Sequence, residues 1–283
     1  MDRIGIVGCG LMGSGIAEVC AKAGADVVVL ERDADALAAG RARIERSLSR
    51  AVAAGKLPEA DADAARANLT FAETFDALGD RQLVVEAVAE DEATKLEVFG
   101  LIDKVVTDEG AILATNTSSI PIIKLAMATG RPEQVIGMHF FNPVPVLKLV
   151  EVISSLLTSA DTTSRTREFA TGRLGKQVIT SPDRAGFVVN ALLIPYLLSS
   201  IRMLESGYAS AEDIDTGMVL GCAHPLGPLA LTDLIGLDTT LAVAESLYEE
   251  FKEPHFAPPP LLSRMTQAGL LGRKTGQGFY AYK

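Results

Sequence analysis

Hydrophobic residues follow two patterns along this chain. Through roughly the first two-thirds, short and nearly unbroken apolar runs alternate with longer stretches at helical spacing; after that only helical spacing remains. Unbroken apolar runs mark strands buried on both faces, and apolar residues three and four apart mark helices packed on one side. The runs predict strands over 3–7, 26–30, 82–88, 111–115, 135–141, 149–153 and 176–180. Between them, one or two long helices are expected over 33–66, where Leu37, Ile44, Leu48 and Val52 form a stripe, and further helices over 92–106 and 160–172. Ser181-Pro182-Asp183 is a breaker and a helix-start signal. Beyond it, helices are expected over 185–206, 210–221, 227–235, 237–251 and 259–268.

The first strand, Arg3-Ile4-Gly5-Ile6-Val7, runs straight into Gly8-Cys9-Gly10-Leu11-Met12-Gly13 and a helix. In such a loop the first glycine makes the tight turn, the second lets a pyrophosphate approach the backbone, and the third lets helix and strand pack closely. The helix start, around Gly10, Leu11, Met12 and Gly13, offers N–H groups to phosphates. The second strand ends on Glu31, placed to accept hydrogen bonds from adenosine ribose hydroxyls. Strand, glycines, helix, strand and acid in this order predict an α/β fold: an N-terminal Rossmann-like dinucleotide-binding domain over 1–184, then an all-α C-terminal domain over 185–283. Cys9, inside the loop, reads as a small filler.

Composition narrows the class. The chain has 283 residues, 36 acidic against 26 basic, for a net charge of −10. That argues against general nucleic-acid binding, which needs a basic face, but leaves room for a phosphate-bearing ligand at a helix end. Cys9, Cys20 and Cys222 have no metal-ligand spacing, so no metal is expected, and sparse unpaired thiols point to the cytoplasm. A strand starting at residue 3 leaves no targeting peptide, and the apolar helix around 191–201, broken by Pro195, is too short to span a bilayer.

Few residues suit acid–base chemistry. Of three histidines, His255 lies in a proline-rich loop and His224 in a helix-to-helix turn. His139 ends an apolar strand, where α/β sheets place ligands, and Pro143 and Pro145 hold the loop beyond it. Alone, it reads more readily as a satisfied core histidine than as a site residue. Glu151 lies in an otherwise apolar strand, and a buried carboxylate is costly unless paired. The turn at 142–145 returns that strand towards His139, so a His–Glu dyad is expected, with an ion pair between Glu151 and Lys148 as the alternative. Asn190 falls in the apolar stripe of a helix, as a structural bridge or a substrate contact. Ser118 and Ser119 read as helix caps or as site residues.

Gly8-x-Gly10-x-x-Gly13 with Ser14-Gly15-Ile16-Ala17, Asn116-Thr117-Ser118-Ser119, and Gly137-Met138-His139-Phe140-Phe141-Asn142-Pro143-Val144-Pro145 together resemble the L-3-hydroxyacyl-CoA dehydrogenase family. So do Lys148-Leu149-Val150-Glu151-Val152, Gly186-Phe187-Val188-Val189-Asn190, His224-Pro225-Leu226-Gly227-Pro228 and the tail from Lys274 to Tyr280. The resemblance spans almost the whole chain and is nearest to the short bacterial 3-hydroxybutyryl-CoA dehydrogenases. It implies NAD as cofactor, an acyl-CoA substrate, and a homodimer through the helical domain.

The resemblance also implies roles. His139 falls on the catalytic histidine, Glu151 on its orienting glutamate, and Ser118 and Asn190 on the active-site serine and asparagine. Nicotinamide-side contacts fall on Asn142, Glu90, Lys95 and Lys274. Glu31 takes the ribose position, its charge repelling a 2′-phosphate, with Arg32 beside it. Ser47 matches a CoA-binding serine, but Ala54 stands where the accompanying lysine is expected, with Lys56 nearby. Two other readings share the plan: a dehydrogenase of free hydroxy acids, and a dinucleotide-binding protein without turnover.

Overall fold

A computed structural model describes residues 1–282. The chain divides into two compact units, Met1–Arg184 and Ala185–Lys283.

The first unit is built on one eight-stranded sheet. In chain order its elements are β1 (Arg3–Val7), α1 (Leu11–Lys22), β2 (Asp26–Leu30), α2 (Ala34–Ala53), α3 (Glu59–Ala67), β3 (Leu69–Ala72), β4 (Leu83–Glu86), α4 (Glu92–Val105), β5 (Ile112–Thr115), α5 (Ile122–Ala126), β6 (Val135–Phe140), β7 (Leu149–Ser154), α6 (Ala160–Glu168) and β8 (Gln177–Pro182). The strand order is β3-β2-β1-β4-β5-β6-β7-β8. The first six strands in that order are parallel, with β1 between β2 and β4. This is the doubly wound arrangement, in which the order reverses beside β1 and leaves a crevice at the carboxyl ends of the strands. Ile4, Ile6, Val27, Val29, Leu83, Val85, Ile112 and Ala114 are almost wholly buried in the core beneath it.

At one edge the sheet becomes mixed, in keeping with the return expected at 142–145. β7 runs antiparallel to β6, and β8 is parallel to β7. The connection from Phe140 to Leu149 is too short for a crossover, so the chain must turn back, whereas α6 supplies the crossover from β7 to β8. The antiparallel register sets His139 directly opposite Glu151. One difference is β3, which the sequence pattern did not predict. It is a four-residue edge strand with no buried residue, so it lacks the unbroken apolar run that marks its neighbours. The predicted stretch 33–66 resolves into α2 and α3, with Gly55 at φ +67° in the turn between them.

The second unit is helical: α7 (Val189–Glu205), α8 (Ala211–Cys222), α9 (Pro228–Ile235), α10 (Leu237–Phe251) and α11 (Pro260–Gln267). Ile194, Leu198, Ile201, Leu229, Leu237, Leu247 and Leu262 form its core. The first helix starts at Val189, later than the periodicity predicts, because Gly186 and Phe187 are left-handed, at φ +75° and +47°. Two buried carboxylates order the rest. Asp215 accepts from the backbone N–H of Leu229 and Ala230 and from the Tyr280 hydroxyl; Asp233 accepts from the N–H of Phe279 and Tyr280 and from the Tyr282 hydroxyl. Among the described residues no helix is long and apolar enough to cross a membrane.

Candidate active site

The glycine loop is shaped by sterics. Gly8 sits at φ +91°, and a Cβ there would lie 2.7 Å from the Ala87 carbonyl oxygen. A Cβ on Gly13 would lie 1.9 Å from the Gly8 carbonyl oxygen, so nothing larger lets α1 fold back on the turn. Gly10, by contrast, has nothing within 4 Å of its Cβ position. The chain therefore keeps space open at the one glycine that should face a pyrophosphate. Gly10 caps α1 with no side chain, so the helix's first N–H groups are left for a ligand. Leu11 stands 64% exposed beside them, and Met12 is half-buried.

Glu31 reaches back to this loop. Its carboxylate accepts from the Cys9 N–H at 2.6 Å and the Arg32 N–H at 3.1 Å. The Arg43 guanidinium donates to the Cys9 carbonyl at 3.2 Å, and the Arg32 side chain pairs with Asp33. Cys9 is completely buried, and a Cβ on Gly40 of α2 would come within 2.5 Å of its sulfur. Burial, then the Glu31 charge, pushes the thiol up to about 12, so Cys9 is packing and not a nucleophile. Together the open position at Gly10, the uncapped helix and an acid at the end of β2 fit a dinucleotide with a free 2′-hydroxyl.

The opposite side of the crevice carries the acid–base pair. His139 Nδ1 and Glu151 Oε2 are 2.7 Å apart, and both side chains are buried, Glu151 completely. The carboxylate thus fixes the imidazole tautomer and supplies the counter-charge for an imidazolium. Phe141 packs edge-on against the imidazole at 4.6 Å between ring centres. Lys148, the alternative partner for Glu151, is exposed.

Beyond His139 the loop opens on a cis Asn142–Pro143 bond, and Asn142 is exposed. Two features hold it. A Cβ on Gly15 would lie 2.8 Å from Val144, so that glycine lets α1 lie directly against the loop. Lys176, itself buried, donates to the carbonyls of Val144 at 2.6 Å and Leu147 at 2.7 Å. Burial pushes the Lys176 ammonium below its usual range.

Between the two sides lies the turn after β5. Glu90 gathers it: one carboxylate oxygen accepts from the Thr117 hydroxyl, the N–H of Ser118 and Ser119, and the Ser119 hydroxyl at 2.5–3.1 Å. Partial burial opposes the Glu90 charge, but the Lys95 ammonium and then these donors outweigh it and hold the carboxyl below the usual range. Lys95 differs from expectation. Its side chain is only 1% exposed, and its ammonium is spent on Glu86 at 2.5 Å and Glu90 at 3.4 Å, so it supports the turn from beneath instead of presenting a charge. Glu86, wholly buried, also accepts from the Thr115 hydroxyl at 2.7 Å and the Val88 N–H at 2.7 Å. The sequence reading missed Glu86, although an acid inside an apolar strand is the signal that marked Glu151.

The other predicted residues stand on different elements. Ser47 is half-buried on α2, and Lys56 is exposed just beyond its end. In the helical unit Asn190 is half-buried in the first turn of α7, and Lys274 pairs with Asp238 at 2.6 Å. His224 meets the Tyr196 hydroxyl at 3.2 Å, and His255 is exposed.

Comparison with known proteins gives one consistent result. The NAD binding domain of 3-hydroxyacyl-CoA dehydrogenase matches residues 3–184, and the C-terminal domain of the same family matches residues 186–282. The chain is 58% identical over 282 residues to a 3-hydroxybutyryl-CoA dehydrogenase of Mycobacterium tuberculosis, covering 100% of this chain and 99% of that one. It is 43% identical to the human mitochondrial hydroxyacyl-coenzyme A dehydrogenase, covering 100% and 92%. The solved (S)-3-hydroxybutyryl-CoA dehydrogenase of Ralstonia eutropha superposes with a TM-score of 0.95 at 46% identity, covering 100% and 99%.

Proposed function

The chain belongs to the 3-hydroxyacyl-CoA dehydrogenase family, and from that premise we propose that it is an NAD-dependent (S)-3-hydroxybutyryl-CoA dehydrogenase, interconverting the 3-hydroxyacyl-CoA and the 3-ketoacyl-CoA. The observation that carries the reading is the buried His139–Glu151 pair at the carboxyl edge of the sheet that holds the glycine loop. The unit 1–184 binds NAD, with Gly8, Gly10, Leu11, Met12 and Gly13 at the pyrophosphate, Glu31 at the adenosine ribose, and Glu90, Ser118 and Asn142 on the nicotinamide side. The unit 185–283 supplies Asn190 and Lys274 and carries a homodimer interface; the enzyme works in the cytoplasm.

Bound NAD supplies the acceptor for the hydride leaving C3 of the substrate. His139 takes the hydroxyl proton on Nε2 while Nδ1 stays on Glu151, which stabilises the imidazolium so formed. In reduction the same imidazolium returns its proton to the C3 oxygen. Ser118 and Asn190 hold the substrate oxygens. Ser47 and Lys56 lie towards the CoA portion, with Ala54 removing one cation expected there. The Glu31 charge disfavours a 2′-phosphate and so favours NAD over NADP.

The test is oxidation of NADH with acetoacetyl-CoA, with NADPH and free acetoacetate in parallel. Rapid turnover that requires both NADH and the CoA ester is expected. Activity on the free acid alone moves the chain to the hydroxy-acid dehydrogenases, and NADH binding without turnover removes the enzymatic reading.

A further inference from the structure

Asn116, one residue past β5, stands between the two halves of the site and has no role in the reading above. Its backbone is fixed, because its N–H donates to the Glu86 carbonyl at 2.9 Å. Its side chain crosses to the next strand, where Oδ1 accepts from the Phe140 N–H at 2.9 Å. Since Phe140 N–H can only donate, the atom facing it must be the amide oxygen, which settles the orientation of the carboxamide. The amide nitrogen is therefore turned away from Phe140. It makes no hydrogen bond among the described residues, although the side chain is half-buried. The NH₂ group is not sealed inside the protein, so a bound molecule can reach it.

The place is specific. The ladder between β5 and β6 ends at Thr115 opposite Gly137, so Asn116 continues it beside Met138, next to His139. Two residues further on is Ser118, on the turn that Glu90 gathers. Resting on the function proposed above, we propose that Asn116 is a ligand-binding residue: its amide nitrogen donates to a carbonyl or hydroxyl oxygen of the molecules bound at the carboxyl edge, while its amide oxygen, through Phe140, ties that contact to the His139 strand. The acceptor belongs to the nicotinamide half of the cofactor or to the acyl thioester, and both offer the oxygen that an NH₂ group requires.

Asn116→Asp isolates the donor, because it keeps an oxygen for Phe140 N–H and replaces NH₂ by a second oxygen. At neutral pH kcat/KM with acetoacetyl-CoA is expected to fall by about 10- to 100-fold, close to the loss in Asn116→Ala, as for removal of one hydrogen bond to a bound group. The ratio of variant to wild type should recover between about pH 7 and pH 5, as the carboxyl begins to take up a proton and regains a donor. Titration with NADH separates the two sources: weakened NADH binding assigns the oxygen to the cofactor, and unchanged NADH binding with a raised KM for acetoacetyl-CoA assigns it to the thioester. Wild-type kinetics in Asn116→Asp overturn the proposal, whether or not Asn116→Ala is impaired. A readout independent of any variant's folding is the Asn116 side-chain NH₂ resonance in the wild type, followed as NADH is added, or NAD with acetoacetyl-CoA, a pair that cannot turn over. A shift with either is expected, and no shift with both overturns the proposal. A wild-type enzyme inactive on acetoacetyl-CoA refutes the substrate reading, and the NADH titration still reports on Asn116.

Discussion

His139 and Glu151 are buried side by side, and each makes the burial of the other tolerable. A carboxylate with no exposed surface needs a partner, and the imidazole supplies one 2.7 Å away. His139→Gln should therefore lower turnover by about 10²-fold or more, with NADH affinity largely kept, since general acid–base catalysis contributes on that scale. Steady-state rates and a fluorescence titration of NADH check both halves of that statement. At the other side of the crevice, Glu31 is bonded to the Cys9 N–H and lies near Arg43 through that same residue. Glu31→Ala should weaken NAD binding and narrow its advantage over NADP, because the 2′-hydroxyl loses its acceptor and the charge that repels a 2′-phosphate is gone. An unchanged preference between the two cofactors would refute the ribose role. The pairing of His139 with Glu151 was legible because each interrupts an apolar strand, whereas Ser118 stood out only through the resemblance. Glu86 broke the same pattern, and only its contact with Lys95 makes its place under the Ser118 turn visible.

At the scale of elements, the loop from Phe141 to Lys148 is held from two directions. α1 touches it through Gly15 and Val144, and Lys176, just ahead of β8, clamps its carbonyls. The helix expected to carry the cofactor's phosphates thus packs against the segment that follows His139. Lys176→Met should leave the Val144 and Leu147 carbonyls without their donor, costing about 1–3 kcal/mol. Faster amide exchange over 142–147 in that variant, with β1 and β2 unaffected, is the measurement that checks it. Strand and helix positions in the sheet were legible wherever a run was buried on both faces. β3 was not, because a short, half-exposed edge strand carries no such run, and the late start of α7 was not, because left-handed Phe187 has no signature in periodicity.

At the scale of the molecule, the acidic balance carries a pH prediction. Asp33 caps α2 by accepting from the Ala36 N–H, and Asp91 caps α4 by accepting from the Thr94 hydroxyl and then the Thr94 N–H; these bonds hold both carboxyls below their usual range. Arg81 holds Asp80 down in the same way, and Lys95 with the turn donors holds Glu90 down. Groups whose carboxyls are lower in the folded chain stabilise it above their ordinary values, and that stability is lost as pH falls through the lowered ones. Melting temperature should therefore hold down to about pH 5 and drop steadily below about pH 4. A flat melting temperature through that range would contradict these assignments. A homodimer should sediment at twice the chain mass of 29.8 kDa, and a single species at the chain mass would exclude it.

Periodicity, the glycine spacing and the few misplaced polar residues were enough to establish an α/β unit for a dinucleotide, a helical unit after it, and a His–Glu pair between neighbouring strands. Those are local signals, written in the order of residues along one strand or helix. The tertiary structure decided the rest: the antiparallel register that puts Glu151 directly opposite His139, the place of Lys95 under the Ser118 turn on Glu86, and the Asn116 amide nitrogen turned away from Phe140. Each depends on which distant segments share a face or a ladder, and a linear pattern does not encode that choice until the chain has packed.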